Sequence, residues 1–133
     1  MAVFLAITDP AYIGLVNDLV HDSDLDVDTV SFNPAAGELT IPFIREESEK
    51  QLTFRLFRQS TAPRVQAYLR IRSASDYSIV DSERIGTYPI NVLVYESDST
   101  RIVIRTSIPL AFEVSVESCD IQVEVTEELV TVD

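Results

Sequence analysis

A chain of 133 residues with 46% apolar content has the size of one domain, enough material for a core, and too much apolar surface for a disordered segment. Its single cysteine, Cys119, excludes an internal disulfide and a cysteine-based metal site. The net charge of −12 disfavours nucleic acid and anionic membrane as partners, because both are polyanions.

The charge is unevenly placed. Residues 1–44 carry −7 with no Lys or Arg, residues 45–105 carry +2 and hold all ten bases, and residues 106–133 carry −7 without a base. Nine of the bases are Arg, whose planar fork pairs bidentately with carboxylates, so cross-strand Arg–carboxylate pairs on a solvated sheet face are expected. No apolar run reaches the roughly 18 residues of a membrane-spanning helix. The opening AVFLAI (residues 2–7) lacks a basic flank and meets Thr8-Asp9-Pro10 rather than a small-residue cleavage site. It reads as a strand or tucked apolar arm rather than a signal peptide, in a soluble cytoplasmic protein.

Asp9-Pro10 starts a helix, with Asp9 capping free amides and Pro10 at the first helical position. The spacing predicts a helix from Pro10 to His21, packed on a sheet through Tyr12, Leu15, Val16 and Leu19, with Ile13 and Val20 widening the stripe. Gly14 in its interior suggests close packing. His21, the only histidine, falls in the last turn, where a protonated ring would suit the helix dipole.

The acids Asp22, Asp24, Asp26 and Asp28 follow. An EF-hand beginning at Asp22 needs Gly at its sixth position and Glu at its twelfth, but Val27 and Asn33 stand there. Leu25 and Val27 alternate with the acids instead, which predicts a strand entrance with solvated carboxylates and no metal.

Val30 and Phe32, the breaker-rich turn Asn33–Gly37, then Leu39, Ile41 and Phe43 predict a hairpin. Pro42 cannot donate to a ladder, so its strand has an edge there. A charged turn at Arg45–Lys50 leads to a strand at Leu52, Phe54 and Leu56. Val65, Ala67, Leu69 and Ile71 alternate with Gln66, Tyr68, Arg70 and Arg72 as a two-faced strand, and Tyr77 and Ile79 continue after a Ser-rich step.

From Ile85 to Val125 the period of two runs through four segments: Ile90/Val92/Val94, Ile102/Ile104, Leu110/Phe112/Val114/Val116 and Ile121/Val123/Val125. Residues 96–100 form a hairpin loop, and Pro109 begins the third run. The step Glu117–Asp120 is a turn or a bulge. The fold expected is mainly β, α+β at the margin: an antiparallel β-sandwich or partly open barrel of about eight or nine strands with one N-terminal helix, a single domain over residues 1–133.

His21-Asp22-Ser23, the Val30/Phe32 strand, Gly37 and the Leu39/Ile41/Phe43 strand together resemble the opening of small uncharacterised bacterial proteins, in which a helix ends in a His-Asp-Ser-like step before a β-hairpin. Some of those proteins look like immunity proteins of toxin systems. The resemblance spans residues 19–43 and implies a non-catalytic interaction protein; the Phe-x-Gly-Val-type strand of such families has no counterpart at Tyr68–Arg72.

No chemistry-bearing motif appears. None of the three glycines stands in a nucleophile elbow or a phosphate-cradling cluster, and no base lies near Cys119 in sequence. The expectation is a protein without catalytic residues, cofactor or metal. Its function is protein–protein interaction, immunity-like or regulatory, with a small-ligand-binding barrel as the alternative and a hydrolase third. The candidate partner surface is the outward face of the C-terminal strands, Glu113, Glu117, Gln122 and Glu124. It suits a protein partner with a basic surface; the other partner expected is a second copy, through an edge strand. The acidic face loses its motive if arginines of earlier strands neutralise it.

Overall fold

The computed structural model describes residues 2–46 and 63–130, so the expected strand at Leu52–Leu56 lies outside the described residues. Among the described residues ten antiparallel strands form one open sheet with one N-terminal helix. The strands are β1 (Val3–Ile7), β2 (Asp24–Asp26), β3 (Ser31–Asn33), β4 (Glu38–Glu46), β5 (Arg64–Ile71), β6 (Ala74–Val80), β7 (Thr87–Glu96), β8 (Arg101–Thr106), β9 (Ala111–Val116) and β10 (Ile121–Leu129). Their order is β1-β10-β5-β4-β2-β7-β8-β9-β6, with β3 also on β4.

Alternation decides which face is buried. Along β5, Val65, Ala67, Leu69 and Ile71 are buried while their neighbours are not; Ile121, Val123 and Val125 on β10 do the same. Among the described residues all the buried apolar side chains, from Ile7 to Val125, belong to one cluster. Buried residues of β1, β10, β5 and β4 and of β7, β8 and β9 share that cluster, so these two halves of the sheet pack on a common core.

The chain crosses between halves twice, at Arg72–Ser73 after β5 and at Glu117–Asp120 after β9. The crossings run side by side: Arg72 N–H donates to the Asp120 carbonyl (2.8 Å) and Glu117 N–H to the Ser73 carbonyl (2.9 Å). The Glu117–Asp120 step is therefore a passage from one half to the other rather than a bulge in one long strand.

Gly37 holds a third junction. Its φ is +62°, and a Cβ there would meet the Ala74 carbonyl oxygen at 3.3 Å. Glycine supplies both the left-handed backbone and the close approach. Ala74 N–H donates to the Gly37 carbonyl (2.8 Å), tying the β3–β4 turn to the start of β6.

Pro42 has an instructive position. On one side of β4, β3 pairs with residues 38–40 and β2 with residues 43–44. The proline stands between these two short ladders, so the expected edge is a gap inside the sheet rather than its rim.

The helix begins as expected: Asp9 accepts from the Ala11 N–H (2.9 Å), and Pro10–Tyr12 form a 3-10 turn leading into α1 (Ile13–Val20). Its packing face differs from the expected one. Val16 and Val20 are fully buried, with Ile13 and Leu19 partly so, whereas Tyr12 and Leu15 are 58% and 49% exposed. Six apolar residues surround the helix and permit two stripes, and Asn17 decides between them. Its side-chain amide turns toward the sheet, and residues 13, 16 and 20 follow it. Gly14 faces open space, with nothing within 4 Å of a would-be Cβ, so it marks no close contact.

The second difference lies in β7. Its register against β8 shifts between Ile90 and Val92. Tyr88 and Ile90 point inward before the shift, and Leu93 after it, so Val92 and Val94 are only partly buried. One extra residue reverses the faces of everything beyond it.

Candidate functional site

A strand edge exposes unpaired backbone donors and acceptors, so each edge must be sealed or used. β7 is sealed on the side away from β8. β2 pairs with residues 87–89. Ile90 is bridged by the chain leaving the helix: Asp22 N–H donates to the Ile90 carbonyl (2.8 Å), and Ile90 N–H to the Ser23 carbonyl (2.7 Å). His21 Nδ1 lies 2.9 Å from the Asn91 carbonyl, and since that oxygen only accepts, Nδ1 carries the hydrogen. Asn17 completes the seal. Its Nδ2 donates to the Leu93 carbonyl (3.1 Å) and its Oδ1 accepts from the Leu93 N–H (2.7 Å), an amide side chain imitating a strand neighbour. His21 thus serves as a backbone latch, with Nε2 3.4 Å from Asp22 Oδ2. The sequence carried a signal for this device: a lone asparagine among the apolar positions of a short helix.

The two rims of the sheet differ. β6 has Gly37 bonded at its start, and Phe32 of β3 packs edge-to-face on Tyr77 with ring centroids 5.5 Å apart. β1 pairs with β10 from Val3↔Val125 to Ile7↔Ile121, and no described residue pairs with its other side. β1 reads VFLAI, with no charge, proline or bulge. Phe4 is 63% exposed on its outward face, and inward burial falls from Ile7 (6% exposed) through Leu5 to Val3 (38%). Along β1 the core thins toward the Val3 end.

The four residues expected to form an acidic partner surface do not share a face. Glu113 lies on β9, between β8 and β6, whereas Gln122 and Glu124 lie on β10, between β1 and β5. Glu117 is exposed in the crossing between the two halves. Two of the three carboxylates are neutralised across strands. Arg101 Nη1 is 2.9 Å from Glu113 Oε1, and Arg70 Nη1 is 3.1 Å from Glu124 Oε1. Arg101 also holds Glu96 at 2.5 Å, which pulls the Glu96 carboxyl below its ordinary range and raises the guanidinium. Arg70 stacks over Tyr68, 5.3 Å from the ring centroid. The condition under which the acidic face loses its motive is met: sheet topology separates the residues, and arginines from β5 and β8 pair with them.

Other chemistry-bearing groups are occupied by structure. The Asp81 carboxylate accepts from the Tyr88 hydroxyl and from the N–H groups of Ile85 (3.1 Å) and Gly86 (3.0 Å). The Tyr88 hydrogen bond is the largest cause holding the Asp81 carboxyl below its ordinary range; burial, then Asp81, pushes the Tyr88 phenol up. Asp24 pairs with Arg64 (2.5 Å) rather than standing in water, while Leu25 beside it is buried. Asp26 accepts from the Asp28 N–H (3.0 Å). Cys119 is buried, and burial followed by the charges of Asp120 and Asp9 raises its thiol away from the reactive thiolate.

Among the described residues no group of three or more His, Cys, Asp or Glu is placed to hold a metal, and no helix is long and apolar enough to cross a membrane. A cleft of about 190 Å³ lies beside the Pro42 gap, lined by Asp24, Leu25, Phe43 and Gln66. Comparisons with family models, curated proteins and solved structures found no match.

Proposed function

We propose that this protein is a non-catalytic interaction module that engages its partner by strand addition at the outer edge of β1. One observation carries the reading: β7 is sealed by backbone, amide and imidazole contacts, β6 carries Asp76 and a register shift at its start, and β1 alone among these three presents an apolar edge with neither charge nor bulge. Natural sheets protect such an edge with charge, proline or a bulge unless it is used. Strand addition takes affinity from main-chain hydrogen bonds and selectivity from alternate side chains.

The interior argues against the small-ligand barrel. Its large side chains, among them Phe43, Phe112, Leu69 and Ile90, are exposed by 1% or less, and the larger hollows, about 740 Å³ beside Arg105 and Phe112 and about 410 Å³ beside His21 and Asn91, are open surface depressions rather than an enclosed interior. The resemblance of residues 19–43 to immunity-like proteins implies the same class of function.

The test is capture from the source cell with two baits, the native chain and a Phe4→Lys/Ala6→Lys variant. Both positions lie on the solvent face of β1, so circular dichroism should show an intact fold. Partners held by the native chain and lost by the variant support the edge. An identical set of partners on both baits would rule it out.

A further inference from the structure

We infer that the partner of the β1 edge is a second copy of this chain, paired antiparallel about a two-fold axis through Leu5; the inference rests on the edge reading above. β1 is self-complementary in that register. Val3 falls opposite Ile7, Phe4 opposite Ala6, and Leu5 opposite Leu5, so every cross-strand pair is apolar. No like charges meet, although each copy carries −12.

The burial gradient fits the same occupant. Val3 and Leu5 lie at the thin margin of the core, and the equivalent strand of a second copy would bring Ile7 and Leu5 against that margin. The pairing also closes. A two-fold β1–β1 contact uses both β1 edges, and the far rim, β6, carries Asp76 and a register shift that disfavour pairing there.

Charge adds a signature that separates this partner from a basic one. Two copies of the same sign repel at long range, and salt screens that repulsion, so association strengthens as salt rises. A basic partner would show the opposite dependence. Five residues per copy is a small contact, which makes the association weak and concentration-dependent.

The experiment is sedimentation equilibrium of the full chain at low and high salt, over a concentration range reaching about millimolar. The native chain should move from monomer toward twice the monomer mass as concentration and salt rise. Phe4→Lys/Ala6→Lys should stay monomeric, because it sets lysines opposite one another twice. Phe4→Glu/Ala6→Glu should stay monomeric as well. Their mixture should regain the doubled mass, because each lysine then meets a glutamate.

Three results would overturn the inference: a native chain monomeric throughout, a Lys/Lys variant that still doubles, or species growing beyond the dimer, which would signal open-ended β1–β6 pairing. A labelled peptide of residues 2–8 separates the two readings when the native chain stays monomeric. Binding of that peptide to the native chain and not to the Lys/Lys variant would retain the edge and reject the second copy. Absence of binding to either would reject both.

Discussion

β7 and β1 are both strands with one side free of a long partner, and they meet that condition in opposite ways. β7 is covered from Thr87 to Leu93: by β2, by the chain at Asp22–Ser23, by the His21 ring and by the Asn17 amide. Each contact is polar, and each turns an open edge into interior. β1 has five apolar residues and none of these devices. Sealing an edge requires dedicated side chains at fixed positions, and the proposal that β1 takes a partner rests on their absence there among the described residues.

The largest expected effects lie at the shifted register of β7. Leu93→Ala should cost about 2–5 kcal/mol, as for a buried leucine, while Val92→Ala should cost well under half of that. Equal losses in denaturant titrations would mean that β7 has no reversal of faces. Next comes the seal itself. Asn17→Ala removes both partners of the Leu93 backbone, and a buried polar group left unpaired costs about 1–3 kcal/mol. If Asn17→Ala proved neutral while amide exchange at Leu93 stayed slow, the amide would not be what closes this edge.

Acid sharpens the comparison from the near end of β7. The folded state lowers the Asp81 carboxyl below its ordinary 3.8, chiefly through the Tyr88 hydroxyl. Its contribution is therefore present above the unfolded value and lost as pH falls through the folded one. Between neutral pH and about pH 3 the native chain should lose more stability than Asp81→Asn, which has no carboxylate to protonate. Parallel losses would show that the Asp81 turn is not acid-sensitive. Tyr88 acts with the opposite sign: its phenol is raised, so its contribution holds below the unfolded value and is lost as pH climbs through the folded one.

The smallest effects belong to the open surfaces. Leu15→Ala and Phe4→Lys should each change stability by no more than about 0.5 kcal/mol, because both side chains lie largely in solvent. A loss of several times that size at Phe4 in dilute, monomeric protein would place this residue in the fold rather than at an interface. At Leu15 it would restore the helix stripe expected from spacing alone.

Periodicity determined most of the architecture. A side-chain repeat of two is a property of the extended backbone, so β5, β8, β9 and β10 were legible from their apolar residues, as were the Asp9 cap and the β3–β4 turn. The uncharged run Val3–Ile7 was legible as a strand or tucked arm, but its place at the rim of the sheet was not. Tertiary structure decided three things that spacing does not encode. The phase of α1 followed from a hydrogen bond between Asn17 and Leu93, 76 residues apart. The faces of β7 reversed at a single inserted residue, which leaves the composition of the strand unchanged. The fate of the acids followed from sheet order, since β9 and β10 are consecutive in the chain yet lie in different halves, each beside an arginine from another strand. Local pattern reports which side of its own strand a residue occupies; only the folded chain sets which strands become neighbours, and the pairing of charges depends on the neighbours.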